Sequence, residues 1–364
     1  MGATRRGSDG VAGRDASGRG AAGPVTVLIA SYLEREHVAR ISRTSGARVI
    51  YDPDLLPRPR YVADHTGLPL DRPPAAERRW RGYLAEADVM FDFDYTHLHD
   101  LVQLAPRVRW IQATSAGIGQ MLLRTGLIRT PIVFTTASGI HATPLAEFVL
   151  FALLAFAKDF PRLVRDQAAH RWVRYCGREL RGTSAGIIGL GQVGRAVARA
   201  CHALGVRVIG TRRTATGPRA AIEGVDVLVR SGELSTMLRE VDALVLACPL
   251  TPQTQGLIGD AELRSMKRGA ILVNIARGAV VDEPALIAAL RDGHLGGAAL
   301  DVAATEPLPA DSPLWDLPNV LISPHSASTA DTENAKLTDL FCENLGRYVR
   351  GEALLNVFDC ERLY

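Results

Sequence analysis

The feature that most constrains the fold is a glycine turn in mid-chain, Gly189-Leu190-Gly191-Gln192-Val193-Gly194, between an apolar run at 185–188 and a helix-like stretch at 193–204. A lone GxGxxG says little, but a strand before it and a helix after it are the context in which the motif works. There the first glycine permits a tight turn, the second lets backbone approach a pyrophosphate, and the third lets helix and strand pack closely. The helix start adds N–H groups suited to phosphate. This part of the chain is therefore expected to be a strand–turn–helix unit of a parallel α/β sheet. Gly189, Gly191, Gln192, Val193 and Gly194 are its candidate dinucleotide contacts.

The same alternation runs on both sides of the turn. Strand-like runs occupy 25–30, 48–51, 87–91, 108–113 and 132–136 before it, and 206–210, 243–247, 270–275, 298–302 and 320–322 after it. Helical stretches are expected at 34–44 and 332–350. Repetition of this kind indicates βα units and a parallel sheet. At 364 residues the chain has room for two such domains. A helix over 144–160, ending near Pro161, is apolar nearly all round and needs cover on more than one face. Its apolar run, 148–157, is about half a bilayer span and is bracketed by Glu147 and Lys158, so no membrane partner is expected. The segment 52–74 is rich in Pro and Arg and reads as an irregular loop. Its Arg58, Arg60 and Arg72 have two readings, contacts to an anionic substrate or solvated loop charges.

Charge argues against a nucleic-acid partner, since the net value is only +3. Part of that is local: within 1–24, four arginines (5, 6, 14, 19) face two aspartates (9, 15), a surplus of two. The 1–24 tail has almost no large apolar residue and is expected to be disordered. Arg5-Arg6 is followed by no apolar run, so export is not expected. The five cysteines form no CxxC pair, which fits reduced thiols in a cytoplasmic protein. His97 and His99 have no acid or cysteine companions at ligand spacing, so no metal is expected.

Chemistry is carried by three polar residues, each just past an apolar strand-like run: Arg277 after 271–275, Glu306 after 298–302 and His325 after 320–322. In an open parallel sheet, residues past the strand C-termini face the ligand crevice. A cation, a carboxylate and an imidazole gathered there can hold a 2-keto acid and protonate its carbonyl. Hydride arriving at C2 builds negative charge on oxygen, and Arg plus His⁺ stabilise it where it forms. Cofactor choice is read about 20 residues beyond the glycine turn. The chain has Gly210-Thr211-Arg212-Arg213-Thr214 there, with no carboxylate for a ribose hydroxyl. Two guanidiniums suit a 2′-phosphate, so NADP is expected in preference to NAD. The other reading leaves both arginines solvated and NAD bound.

With these residues in view, the chain resembles the D-isomer-specific 2-hydroxyacid dehydrogenase family. The resemblance rests on segments 186–194, 272–282 and 299–302, on Glu306-Pro307-Leu308-Pro309, and on Ser323-Pro324-His325. Ser115-Ala116-Gly117 and the segment 249–254 add to it. It implies two Rossmann/flavodoxin-like parallel-sheet domains, with the nucleotide domain (141–324) inserted into a substrate domain (25–140 and 325–364). It implies Arg277 as the substrate-carboxylate ligand, His325 as proton donor and acceptor, and Glu306 as the partner that orients the ring and favours the imidazolium. Ser115, Ala116 and Gly117 correspond to the carboxylate-holding loop, Asp301 to the residue near the nicotinamide carboxamide, and Pro249 and Ala276 to further cofactor contacts. The implied activity interconverts a small 2-keto acid and its D-2-hydroxy acid, of glyoxylate or hydroxypyruvate type, in a homodimer. A phosphoglycerate dehydrogenase would need a cationic phosphate pocket, and a formate dehydrogenase a glutamine at the Glu306 position. The alternative is a corepressor-like dinucleotide binder without turnover. Ala303-Ala304 stands where the family often has an aromatic residue, which leaves pocket shape open.

Overall fold

The structure, a computed structural model, describes residues 24–44, 46–212 and 222–363, so the expectation for the 1–24 tail falls almost wholly outside it. The chain divides into two compact units, one made of 1–137 with 334–362, the other of 138–333. The second unit thus continues through His325 to Glu333, past the expected crossing at 324–325.

The first unit holds a parallel sheet of β1 (Thr26–Ile29), β2 (Arg48–Ile50), β3 (Val89–Phe91), β4 (Trp110–Gln112) and β5 (Val133–Thr135), in the order β2-β1-β3-β4-β5. Its helices are α1 (Arg35–Arg43), α2 (Pro74–Glu86), α3 (Leu101–Leu104), α4 (Gly119–Thr125) and the late α11 (Glu333–Arg350). The strands are continuous apolar runs because a parallel sheet is covered on both faces. α11 buries Leu337, Phe341 and Leu345, spaced four apart on one helical face. Phe341 stacks on Trp110 of β4 with ring centroids 5.1 Å apart. The amide of Asn344 donates to Gln112 Oε1 at 3.2 Å, so a buried polar pair also ties α11 to β4.

The second unit holds seven parallel strands: β6 (Ser184–Ile188), β7 (Arg207–Arg212), β8 (Val227–Arg230), β9 (Ala243–Leu246), β10 (Ala270–Asn274), β11 (Leu295–Leu300) and β12 (Val320–Ile322). Their order is β12-β11-β10-β9-β6-β7-β8. The helices are α5 (Ala142–Ala157), α6 (Phe160–Ala168), α7 (Gln192–Ala203), α8 (Leu234–Glu240), α9 (Asp260–Ser265) and α10 (Glu283–Arg291). Alternate residues of a strand point to opposite faces, and β9 shows the result. Ala243 and Val245 join a core with Val149 and Leu153 of α5 and Val197 and Cys201 of α7. Leu244 and Leu246 join another with Leu238, Leu263 and Leu286 of α8, α9 and α10. The sheet is doubly wound, and its order reverses between β6 and β9, the place where such sheets bind ligands.

The long helix expected over 144–160 starts earlier and breaks earlier. α5 begins at Ala142, with Pro144 in the first turn, where a missing N–H costs nothing. It stops at Ala157 because Pro161 has no N–H to offer the Ala157 carbonyl. That carbonyl takes the Arg178 N–H instead, at 2.7 Å. Asp159 turns the chain at φ +51°, and α6 restarts with Pro161 near its beginning. The structure adds elements beyond those expected, among them the edge strand β8 and helix α2. α2 buries only Trp80 and Leu84, too thin an apolar stripe to register against its charges.

The 52–74 loop also corrects a reading. Arg72 is neither solvated nor offered to a substrate: its Nε donates to the Leu55 carbonyl at 2.8 Å. Its guanidinium lies 4.5 Å over the Trp80 ring, and its side chain is 3% exposed. Arg60 is a local clamp, paired at 2.7 Å with the buried Asp64.

Candidate active site

The glycine turn occupies the switch point of the seven-stranded sheet, and its three glycines separate by function. Gly189 leaves β6 at φ +99°, and a Cβ there would stand 2.7 Å from the Ala247 carbonyl oxygen. A Cβ on Gly194 would stand 1.9 Å from the Gly189 carbonyl oxygen. Both positions are glycine because the protein's own backbone fills the space. Around Gly191 the space within 4 Å of a Cβ is open. Gly191 and Gln192 are exposed and open α7, a 12-residue helix whose N-terminal N–H groups suit an anion. An open cradle at the second glycine, between two glycines fixed by packing, fits the pyrophosphate of a dinucleotide. Pro249, at the end of β9, is exposed, and its carbonyl accepts from Thr254 Oγ1 at 2.7 Å. Of the two arginines expected near the ribose, Arg212 closes β7 and Arg213 lies outside the described residues.

Arg277, Glu306, His325 and Asp301 all belong to this same unit, on the loops that follow β10, β11 and β12. His325 Nδ1 lies 2.7 Å from Glu306 Oε2, while Glu306 Oε1 accepts the Ala303 N–H at 3.1 Å. One carboxylate thus holds both the imidazole and its own loop. Burial works to raise the Glu306 pKa. The hydrogen bond and charge of His325, the Ala303 N–H and the nearby Arg277 outweigh it and keep the carboxyl below its ordinary range. His325 adopts φ +54°, an uncommon conformation for a residue with a side chain. Its N–H donates to the Asp301 carbonyl at 2.8 Å. Asp301, 2% exposed, receives the Ser323 hydroxyl at 2.7 Å and the Ala327 N–H at 2.8 Å. The aspartate therefore braces the His325 loop on both sides.

Arg277 is largely buried, and burial pushes its pKa down against the opposing pull of Glu306 and Asp301. Its Nη1 donates to the Ala276 carbonyl at 2.7 Å. The next residue, Gly278, is required: a Cβ would stand 1.9 Å from the Ala303 carbonyl oxygen. The Arg277 loop and the loop leading to Glu306 are thereby pressed together. The Ala304 N–H is held in turn by Glu283 at 2.9 Å.

Ser115, Ala116 and Gly117 lie on the first unit, exposed, just past the C-terminal end of β4. His97 of that unit is bonded through Nδ1 to Asp94 at 2.8 Å and through Nε2 to Glu77 at 2.9 Å. These contacts pin the loop after β3 to α2. Asn274 is a site residue absent from the sequence reading. At the end of a strand it reads as one more polar terminus, yet it is 1% exposed and bonded to the Arg277 loop.

With the geometry in hand, comparison with known proteins is direct. Residues 150–327 match the family model described as D-isomer specific 2-hydroxyacid dehydrogenase, NAD binding domain. A glyoxylate reductase from Korarchaeum cryptofilum is 34% identical over 271 residues, which is 72% of this chain and 79% of that protein. The chain belongs to the D-isomer specific 2-hydroxyacid dehydrogenase family. It is an NAD(P)-dependent oxidoreductase that interconverts a small 2-keto acid and a D-2-hydroxy acid. A D-isomer specific 2-hydroxyacid dehydrogenase from Xanthobacter autotrophicus, solved with NADPH and MES, is similar at 30% identity and TM-score 0.76, covering 94% of this chain and 100% of that one. An NADPH-dependent glyoxylate/hydroxypyruvate reductase from Sinorhizobium meliloti, in complex with NADP and sulfate, has 26% identity and TM-score 0.76, covering 93% and 100%. D-3-phosphoglycerate dehydrogenases such as that of Archaeoglobus fulgidus, 33% identical over 71% of this chain, are spanned for 48% of their length.

Proposed function

We propose that this dehydrogenase reduces a small 2-keto acid of the glyoxylate or hydroxypyruvate type, with NADPH preferred and His325 as the proton donor. The observation that carries the assignment is the 2.7 Å bond between His325 Nδ1 and Glu306. A carboxylate accepting from Nδ1 leaves Nε2 as the atom that gives its proton to the keto oxygen and takes it back in oxidation. The cofactor, when bound at Gly189–Gly194, supplies or accepts the hydride. Arg277 binds the substrate carboxylate and stabilises charge growing on the carbonyl oxygen. The Ser115–Gly117 backbone offers further N–H donors to the carboxylate, and Asp301 contacts the cofactor's carboxamide. Arg212 and Arg213 are the candidates for a 2′-phosphate. The relatives described as glyoxylate reductases and the neighbours solved with NADP or NADPH support this reading.

The test is oxidation of NADPH and NADH by the purified protein across glyoxylate, hydroxypyruvate, pyruvate and bulkier keto acids. Turnover is expected to favour NADPH with the small acids. His325→Ala is expected to lower it by about 10²–10⁴-fold. Near-normal turnover by that variant removes His325 from the mechanism, and a clear preference for NADH overturns the cofactor choice.

The proposal extends to a cytoplasmic homodimer. α5, α6 and the segment after them expose Phe151, Leu154, Phe160, Leu163, Val164 and Trp172, each at least 41% exposed. Large apolar side chains exposed on two consecutive helices call for cover, and a second copy of the same face would supply it.

A further inference from the structure

We infer that Asn274 is a positioning residue for Arg277: its side-chain amide clamps the backbone on both sides of the arginine and thereby aims the guanidinium. Asn274 ends β10 and is 1% exposed. Its Oδ1 accepts the Ala276 N–H at 3.0 Å, and its Nδ2 donates to the Arg277 carbonyl at 3.1 Å. The peptide units before Ala276 and after Arg277 are thus held by one planar amide. Between them lies the Ala276 carbonyl, the acceptor for Arg277 Nη1 at 2.7 Å. The direction of the guanidinium therefore depends on a carbonyl whose two neighbouring peptides are fixed by Asn274. The Asn274 carbonyl also accepts the Asp301 N–H at 3.0 Å, which ties this clamp to the start of the loop bearing Glu306.

An amide does both jobs because its donor and its acceptor are separate atoms of one short, planar group. Aspartate keeps the acceptor and loses the donor, leaving a carboxylate oxygen against the Arg277 carbonyl. Alanine loses both and leaves a buried N–H and carbonyl without their partner. A guanidinium displaced by an ångström costs carboxylate binding more than cofactor binding, because orientation is what a charge-assisted bond to a carboxylate demands.

The inference rests on Arg277 being the carboxylate ligand, and the experiment separates the two. Asn274→Ala, the isosteric Asn274→Asp, Arg277→Lys and the double variants are compared in the full-length protein. The readouts are KM and kcat for glyoxylate, inhibition by oxalate, NADPH affinity by fluorescence titration, and Tm. Asn274→Asp and Asn274→Ala are expected to raise the glyoxylate KM and weaken oxalate by about tenfold or more (the loss of one hydrogen bond to a charged or polar group). NADPH affinity is expected to fall by a smaller factor than oxalate affinity, since the amide touches the cofactor side only through Ala276. In the Arg277→Lys background the same substitutions are expected to change KM by less than about twofold, since coupled residues are not additive. If Arg277→Lys binds oxalate as tightly as the wild type, the reading of Arg277 falls and takes the inference with it. If Arg277→Lys is impaired but the Asn274 substitutions leave KM unchanged, or cost the same in both backgrounds, the positioning role alone is overturned. Should Asn274→Ala fail to fold, Asn274→Asp carries the comparison.

Discussion

At the residue scale, the pair Glu306–His325 sets the pH response. Reduction consumes a proton, so lower pH favours it and higher pH favours oxidation. The Glu306 carboxyl is held below its ordinary range, so it is ionised at neutrality and takes a charge-assisted bond from His325 Nδ1 at 2.7 Å. Glu306→Gln removes that charge and keeps the shape. The variant is expected to lose about tenfold in kcat/KM for reduction, the worth of one hydrogen bond to a charged group, as read from profiles between about pH 5 and 9. A profile identical to the wild type would separate Glu306 from the proton donor. Arg277, Glu306 and His325 were legible in the sequence because each follows an apolar run and their order matches a known pattern. Asn274 and Arg72 were not. What makes each matter is a partner fixed by folding: the Arg277 carbonyl for one, the Trp80 ring for the other.

At the scale of elements, the glycine turn contains a contrast that can be measured. Gly194→Ala would drive a Cβ into the Gly189 carbonyl, 1.9 Å away, so helix α7 and strand β6 must move apart. It is expected to lower the Tm of the cofactor-free protein by several degrees, in line with about 1–3 kcal/mol for overpacking. Gly191→Ala meets open space and is expected to leave that Tm within about a degree. It should nevertheless weaken NADPH binding by tenfold or more, because the methyl fills the cradle. Equal effects of the two substitutions on Tm would show that Gly191 serves packing and not a ligand. Strand positions other than β8 were legible because buried parallel strands are short unbroken apolar runs. β8 is an edge strand of half-buried residues and gives a weaker signal. The break between α5 and α6 needed the Arg178 N–H, a contact that no local pattern records.

At the scale of the molecule, the exposed apolar residues of α5 and α6 form the proposed dimer face. If two copies cover it, size-exclusion chromatography with light scattering should give about twice the 39.2 kDa chain mass. Phe151→Glu with Leu154→Glu places charges in that face and is expected to yield monomers that still bind NADPH, since neither residue belongs to the glycine turn. A wild-type monomer would leave the face to some other partner. No helix among the described residues is long and apolar enough to cross a membrane, in keeping with α5 as a helix that packs partly on α7.

The class of fold and the reaction were legible in the amino-acid chain alone. Apolar periodicity, the strand–glycine–helix context and three ordered polar residues are local signals that survive without coordinates. Which neighbour each residue answers to came from the folded arrangement. It separated the packing glycines Gly189 and Gly194 from the open Gly191, buried the loop residue Arg72 against Trp80 of α2, and joined Asn274 to the backbone of Arg277. The physical reason is the range of the interactions. Hydrophobic patterning repeats along a few turns of chain, whereas steric exclusion and hydrogen bonding act over a few ångströms between segments that only folding brings together.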